Sequence, residues 1–411
     1  MTRRRAILLR LALALASTLC GLATAELMAR RIYAEEFLSL VDPLEDHPYR
    51  PFARARQTWG TATYTICTNS LGFKDRCPPG REVAKDPAPR RRVVFLGDSF
   101  TEGVGFPQEQ TFSGFAEAVL NRDGGGFKAL NGGRVSYSPL LEFQRLAKFF
   151  AAGNRAGAVV LLPDLSDLQD EIDYSSRYEV SATGEPLRFR GAQYDPFRVA
   201  VYNHSALARG IRRRAERWLA PGSDPDPRAV EEERTRLARA TTPLSARDLL
   251  AASGLGRHLL RPNWIFHRPS LDGWVKDGFR SLEGNLVRAQ RLAEENGARF
   301  LVVIYPWPQM LYTRDDPARY EVLAARFPEP FKDREMIRGR LPTDIPSEYQ
   351  TQMRELCRRH GIPLLDLVPD FQATERSEEL FIPGDVHFSE AGHRLAGAQI
   401  AAAVRALLDR P

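Results

Sequence analysis

Cysteine is scarce, with four residues in 411, too few for the disulfide scaffold of a small secreted domain. No cysteine and histidine fall at zinc-ligand spacing, so no structural metal is expected. The sequence holds neither a Gly-rich phosphate loop nor a Walker lysine, which disfavours a phosphate-binding α/β protein. No cofactor is implied. Internal repeats and low-complexity tracts are missing as well. Charge of one sign barely dominates: 58 Lys and Arg oppose 52 Asp and Glu, a net charge of +6. The densest basic cluster, Arg212-Arg213-Arg214, has no interleaved aromatics on which bases would stack, so it reads as a solvated face and nucleic acid is not an expected partner.

What is present is an ordinary globular composition, 43% hydrophobic and 27% charged, behind an unusual start. Arg3-Arg4-Arg5 precede an apolar stretch that runs unbroken from Leu11 to Ala25. As a helix this stretch covers about 22 Å, short of the roughly 30 Å hydrocarbon core. Ala23-Thr24-Ala25 fits a small-x-small cleavage site, which makes residues 1–33 a signal peptide. Alternatively, Arg10 snorkels and Ile7 to Ala29 span the bilayer as an anchor that contacts the membrane. Either reading places the remainder outside the cytoplasm, in the periplasm or another extracytoplasmic space, and the anchor reading holds it at the inner membrane. Cys67 and Cys77 flank a turn-like Asn69-Ser70-Leu71-Gly72 and either pair in an oxidising compartment or remain thiols. Cys20 lies in the apolar segment, and Cys357 is expected to pack on a helix.

Residues 34–90 are rich in Pro, Arg and turn formers and read as an irregular extension, closed by Lys85-Asp86-Pro87-Ala88-Pro89. From residue 91 onward, short apolar runs alternate with amphipathic stretches. Strands are expected at 93–96, 128–131, 158–162, 300–305 and 362–367. Helices are expected at 109–121, 140–150, 278–295, 349–360 and 390–408. This alternation implies an α/β fold, a three-layer flavodoxin-like sandwich around a five-stranded parallel sheet. Its ligand crevice lies beyond the carboxyl ends of the strands. About a hundred residues, 174–274, interrupt the pattern. That is too long for a structureless loop, and it reads as a mostly helical insertion near the mouth of the crevice, a lid or a partner surface. The catalytic domain is therefore drawn as 91–411.

Two stretches carry chemistry. Leu96-Gly97-Asp98-Ser99-Phe100-Thr101-Glu102-Gly103 follows the first of these strands and precedes a helix, a setting that projects Ser99 into the crevice. A serine hydroxyl needs a base to become a nucleophile. Near the other end, Gly384-Asp385-Val386-His387-Phe388-Ser389 supplies one. In extended chain, residues two apart point the same way. Asp385 can therefore orient His387, and His387 can accept the proton of Ser99. Ser389 caps the last helix and holds the pair at its start. His393 falls inside that helix and reads as a packed structural residue.

In this order, the two blocks resemble those of the SGNH (GDSL-type) hydrolase superfamily. Its GDSx(T/S)xG block matches Gly97–Gly103, and its last block places an Asp and a His before the final helix. Here a single residue, Val386, separates that pair, as in the alginate and cell-wall O-acetyltransferase branch. The resemblance covers residues 91–410 apart from the insertion. It implies that Ser136, within Leu130–Ser138, stands where a glycine N–H usually enters the oxyanion hole. In Asp164-Leu165-Ser166-Asp167 it implies Ser166 in place of the usual asparagine donor, followed by Asp167. For both, the competing reading is a helix cap with its first-turn acid. Thr68–Lys74 and Tyr305-Pro306-Trp307-Pro308-Gln309 are similar to stretches of large bacterial members that carry an N-terminal membrane segment, and Trp307 is a candidate to stack on a sugar ring.

The resemblance thus implies a serine esterase acting on acyl esters, acetyl foremost, of an extracytoplasmic polysaccharide. An O-acyltransferase using the same triad and a non-catalytic carbohydrate-binding protein on the same scaffold are the alternatives.

Overall fold

A computed structural model describes residues 3–33, 37–83, 88–181, 185–219, 226–253, 267–311, 317–327 and 347–409. The chain opens with a long helix, α1 (Arg3–Ile32), whose segment Ile7–Ile32 is long and apolar enough to cross a membrane. Then come strands β1 (Arg54–Trp59), β2 (Ala62–Thr68) and β3 (Lys74–Asp75), followed by β4 (Arg92–Gly97) and the short helix α2 (Ser99–Glu102). Helix α3 (Phe112–Leu120), β5 (Lys128–Asn131), α4 (Pro139–Ala151), β6 (Ala158–Leu162) and α5 (Asp167–Arg177) continue the alternation.

A hairpin of β7 (Tyr178–Val180) and β8 (Pro186–Phe189) opens the insertion, which goes on as helices α6 (Pro196–His204), α7 (Ala206–Leu219), α8 (Pro227–Ala238), α9 (Ala246–Ser253) and α10 (Arg268–Leu271). The main series resumes with α11 (Trp274–Glu295) and β9 (Arg299–Ile304). After α12 (Pro317–Arg326) and α13 (Glu348–His360) come β10 (Leu364–Asp366), α14 (Val368–Gln372) and α15 (Glu390–Leu408).

The five expected strands form the parallel part of the sheet, in the order β5-β4-β6-β9-β10. Every residue of β4 and β6 is buried, which is why both read as unbroken apolar runs rather than alternations. Helices α3 and α15 pack together, while α4 and α5 both pack on α11. Because β4 sits between β5 and β6, the connections leave it in opposite directions. A crevice opens at that switch point, at the carboxyl end of β4.

Among the described residues the sheet has eight strands, not five. Residues 34–90 are not irregular: β1 and β2 form an antiparallel hairpin whose ends pair as Trp59 with Ala62, and β3 joins that hairpin antiparallel to the β5 edge. The alternation in β1 is present in the sequence, with exposed Arg54, Arg56 and Thr58 between more buried neighbours. Flanking Pro and Arg mask it. Of the expected linker, residues 85–87 lie outside the described segments. The insertion is largely helical among its described residues, with the β7–β8 hairpin added. It bonds to the extension: Phe189 N–H donates to Pro43 O, and Tyr178 Oη to Leu44 O at 2.6 Å.

Cys67 and Cys77 are joined as a disulfide that fastens β2 to the loop after β3. Cys357 is buried on α13, and its thiol is pushed up to about 12 by that burial. Replacing Cys67 and Cys77 together by alanine should lower unfolding stability by about 2–3 kcal/mol, the entropy of a loop this short. Urea denaturation checks it, and unchanged midpoints would show that the cross-link constrains nothing the sheet has not already fixed.

Candidate active site

Ser99 is the first residue of α2, directly after β4. Asp98 caps that helix, its Oδ1 accepting from Phe100 N–H at 2.9 Å. Two glycines make the turn possible. A Cβ on Gly97 would lie 2.0 Å from Thr101 Oγ1, and Gly103 ends the helix at φ 71° with Thr111 packed where its side chain would be. The sequence block is therefore a close-packing requirement at both ends.

Under α2 the extension supplies much of the support. Lys74, wholly buried, donates from Nζ to the carbonyls of Glu102, Gly103 and Phe106. Burial is the main reason its pKa falls to about 8, opposed by Glu102 and Glu109. Tyr49 Oη donates to Glu102 Oε1 at 2.7 Å, and Arg134 pairs with Oε2 of the same carboxylate at 3.3 Å.

Residues 381–388 fold back on themselves, with Ile382 N–H donating to His387 O and Ser389 N–H to Leu380 O. Ser389 then caps α15 through Gly392 N–H. This brings His387 Nε2 to 2.8 Å from Ser99 Oγ. On the far side of the ring, Nδ1 lies 2.6 Å from Asp385 Oδ1, which also accepts from His387 N–H at 3.1 Å. Burial alone would raise the Asp385 pKa. The bonds and charge of His387, with a bond from Trp59, outweigh it and hold the carboxyl at about 2. Asp385 is thus a carboxylate that can only accept, so Nδ1 carries the proton and the Nε2 lone pair faces the serine hydroxyl. Both Ser99 and His387 are buried, and Phe100 lies 4.6 Å from the imidazole, centroid to centroid.

Trp59, at the tip of the β1–β2 hairpin, was not singled out by the sequence. Its Nε1–H donates to Asp385 Oδ2 at 2.6 Å, and its ring stands edge-on to His387 at 5.0 Å. Both oxygens of Asp385 are therefore occupied by donors. Only the β1 alternation hinted that Trp59 faces inward, and nothing local tied it to a residue 326 positions away.

The remaining candidates divide. Ser136 follows Arg134, whose N–H donates to Gly97 O at 3.0 Å, so its loop lies against the end of β4. Its φ of 61° is the left-handed conformation that glycine favours, and its carbonyl accepts from Tyr174 Oη at 2.8 Å. No acceptor among the described residues takes the N–H of Ser99 or of Ser136. Ser166 departs from the expectation. Its hydroxyl donates to Asp164 Oδ1 at 2.7 Å and its N–H to the same oxygen at 2.6 Å, so the one side-chain proton is already committed. Trp307 is buried, with Nε1–H on Asp164 Oδ2 at 3.0 Å and its ring 6.1 Å from Phe100. It forms a buried wall beside Phe100 rather than an open stacking face. His393 is packed as expected, accepting from Phe112 N–H at 3.2 Å, and burial with nearby Lys74 lowers it to about 3.

Beneath Ser99 lies a cluster of buried acids. One carboxylate oxygen from each of Asp98, Asp164 and Asp167 lies within 4.8 Å of the others, a spacing that can hold a cation. Burial and mutual repulsion favour protons there instead, against the donors that bond these carboxylates. Asp98 accepts from Phe100 N–H and from Tyr305 Oη at 3.2 Å, and its Oδ2 lies 3.2 Å from Ser99 Oγ, while Asp164 accepts from Ser166, Asp167 and Trp307. Burial, then repulsion from Asp164, raises Asp98 and Asp167 well above the usual carboxylate range. Glu142 on α4 is wholly buried, and neither carboxylate oxygen has a hydrogen-bond partner among the described residues. Burial, then Asp98, Glu171 and Asp164, raises it too.

A carboxyl raised in this way keeps its proton after the unfolded chain has released one. Its contribution to stability is present below the ordinary value of 4.5 and is lost as the pH climbs. Glu142→Gln removes that loss. The variant's stability gain over wild type should be small near pH 4 and widen by up to about 1.4 kcal/mol per pH unit above it. Thermal unfolding across pH 4–9 measures the gain, and a pH-independent difference would mean that Glu142 is not held neutral.

Residues 328–410, which include Asp385 and His387, match the family model described as ALGX, SGNH hydrolase-like domain, acetyltransferase AlgX. No curated protein matches the chain. Solved structures similar to it include a lipase/acylhydrolase from Enterococcus faecalis, at 12% identity over 77% of this chain and 96% of that one, with a TM-score of 0.37. A member of the lipolytic G-D-S-L family from Veillonella parvula is 13% identical over 76% and 96%, with a TM-score of 0.32. A catalytic mutant of an acetylxylan esterase from Geobacillus stearothermophilus is 8% identical over 76% and 93%, with a TM-score of 0.33. Taken with the sheet order and the two sequence blocks, the family match over residues 328–410 supports an SGNH-type domain that acts on esters, as hydrolase or as acyltransferase.

Proposed function

We propose that the chain is a serine esterase that removes acyl groups, acetyl foremost, from an extracytoplasmic polysaccharide. The observation that carries this reading is the 2.8 Å approach of Ser99 Oγ to His387 Nε2, with Asp385 behind the imidazole. Ser99 Oγ attacks the ester carbonyl as its proton passes to Nε2, and the carbonyl π electrons move onto oxygen. The free N–H groups of Ser99 and Ser136 stabilise that oxyanion. Collapse expels the sugar alkoxide, which takes the proton from His387 and leaves an acyl-serine. Water, deprotonated by His387, then attacks the acyl carbon; collapse breaks the bond from that carbon to Ser99 Oγ, which takes the proton back from His387 as the carboxylic acid leaves.

Throughout, Asp385 fixes the tautomer and offsets the imidazolium charge, and Trp59 fixes Asp385. With Ser166 occupied by Asp164, the hole relies on backbone donors, and one missing donor typically costs about 2.7–4 kcal/mol of transition-state stabilisation. A slow hydrolase is the expected result.

The Cys67–Cys77 disulfide suits an oxidising compartment outside the cytoplasm. An O-acyltransferase is the second reading, favoured by the Asp-x-His spacing and by the matched AlgX model. It shares the acyl-serine and differs only in the acceptor, a sugar hydroxyl in place of water. A carbohydrate-binding protein without catalysis would have no need to place a hydrogen-bonded base at Ser99.

With p-nitrophenyl acetate, Ser99→Ala should lower turnover by about 1,000-fold or more. Equal rates for wild type and variant would end the proposal. Trp59→Phe keeps the ring but removes a charge-assisted bond worth about 1.5–3 kcal/mol. It should lower kcat about tenfold or more with KM little changed, and it should move the acid limb of the pH–rate profile, since the carboxylate behind His387 changes. A loss in KM alone would make Trp59 a substrate-binding residue.

A further inference from the structure

We infer that the corner between α6 and α7 lies on the surface of a lipid bilayer, where α1 leaves it. The apolar side chains of α6 dip among the acyl chains there, and neighbouring arginines meet lipid phosphates. This rests on α1 being retained as an anchor and is independent of the esterase reading.

About 20 helical residues cross the hydrocarbon core. Counted from Ile7, the crossing ends near Glu26, and no part of the apolar window is covered by the other described residues. The corner is fastened at that level. Glu26 accepts from Ala206 N–H at 2.9 Å, from Leu207 N–H at 3.0 Å and from Ser205 Oγ at 2.8 Å, so it caps the start of α7. Arg30 holds Glu26 at 2.8 Å and donates to His204 O at 2.9 Å. Ala29 is buried, and Gly210 packs so closely on Tyr33 that a Cβ would lie 2.6 Å from its ring. Whatever α1 does at the membrane, the corner shares its position.

The surface presented there is what an interface requires. Helix α6 buries none of its residues, and Phe197 is 76% exposed. Val201, one turn on, is also exposed, as is Ile211 early in α7. Residues 196–219 hold six arginines, of which Arg209 is buried, and a single acid, Glu216. An apolar helix face bordered by arginine is the composition of helices that lie in the headgroup layer, and it favours anionic lipid. The anchor also keeps bilayer at very high effective concentration beside this corner, which no diffusing partner matches.

The test uses the full chain reconstituted in phosphatidylcholine vesicles with and without phosphatidylglycerol, the lipids brominated high on the acyl chain. Phe197→Trp adds a tryptophan at the surface, and its far-ultraviolet spectrum is compared with wild type to establish that it folds. Most of the added emission should be quenched by brominated lipid, more strongly when phosphatidylglycerol is present. Phe197→Asp combined with Val201→Asp should make the α6–α7 arginines more accessible to trypsin on the same vesicles. The inference is overturned if brominated and ordinary lipids give equal emission while the chain remains with the vesicles through an alkaline wash. Concentration-dependent shielding of the new tryptophan in detergent would also overturn it, in favour of a second copy. Release in the wash would remove the anchor, and this inference with it, and would leave the esterase proposal untouched.

Discussion

The contact between Ser99 Oγ and His387 Nε2 joins residues 288 positions apart, and much of the fold serves to make it. One partner is fixed by the turn out of β4, where Gly97 and Gly103 allow a helix of only four residues between a packed strand and a packed loop. The other is fixed by the 381–388 turn and the Ser389 cap of α15. Neither partner sits on a free loop. Proton transfer at this distance needs no large rearrangement, so the geometry is set before substrate arrives.

Two populations of buried acid surround that contact, and burial treats them differently because of their neighbours. Asp385 faces an imidazole, a backbone N–H and an indole, and remains ionised. Asp98, Asp167 and Glu142 face one another, and the same burial drives them toward the neutral form. The outcome is one fixed negative charge on the histidine side of the site and few on the serine side. That arrangement suits a reaction that creates an imidazolium beside Asp385 and an oxyanion near Ser99, since a second full negative charge under the serine would oppose the oxyanion.

How much of this was legible in the sequence follows from the range of the interactions. The parallel strands, the closing helix 390–408 and the pairing of the two blocks rest on local apolar runs, a cap and short spacings, all of which survive in one dimension. The choice between oxyanion donor and helix cap at Ser166 is not legible in the sequence, because a hydroxyl's partner depends on Asp164 two residues back and a candidate donor looks the same whether or not it is already occupied. Trp307 looked like a platform, and only burial behind Phe100 shows otherwise. Trp59 was missed because its function depends on Asp385, and no periodicity links one strand tip to a turn at the other end of the chain.

Composition drew the catalytic domain from residue 91, yet the residues before it are part of the site's construction. Lys74 ties down three carbonyls at the end of α2, Tyr49 bonds Glu102 within that helix, and Trp59 holds Asp385. The hairpin and β3 also cover the β5 edge of the sheet, which would otherwise expose unpaired backbone. A chain beginning at residue 91 would keep Ser99 and His387 but lose the support beneath one and the brace behind the other's carboxylate. The same extension leads directly from α1, whose end is pinned to α7 through Glu26. Helix α1, the sheet edge and the Ser99–His387–Asp385 contacts are therefore one mechanical unit: the segment that would meet a membrane is continuous with the one that holds Asp385.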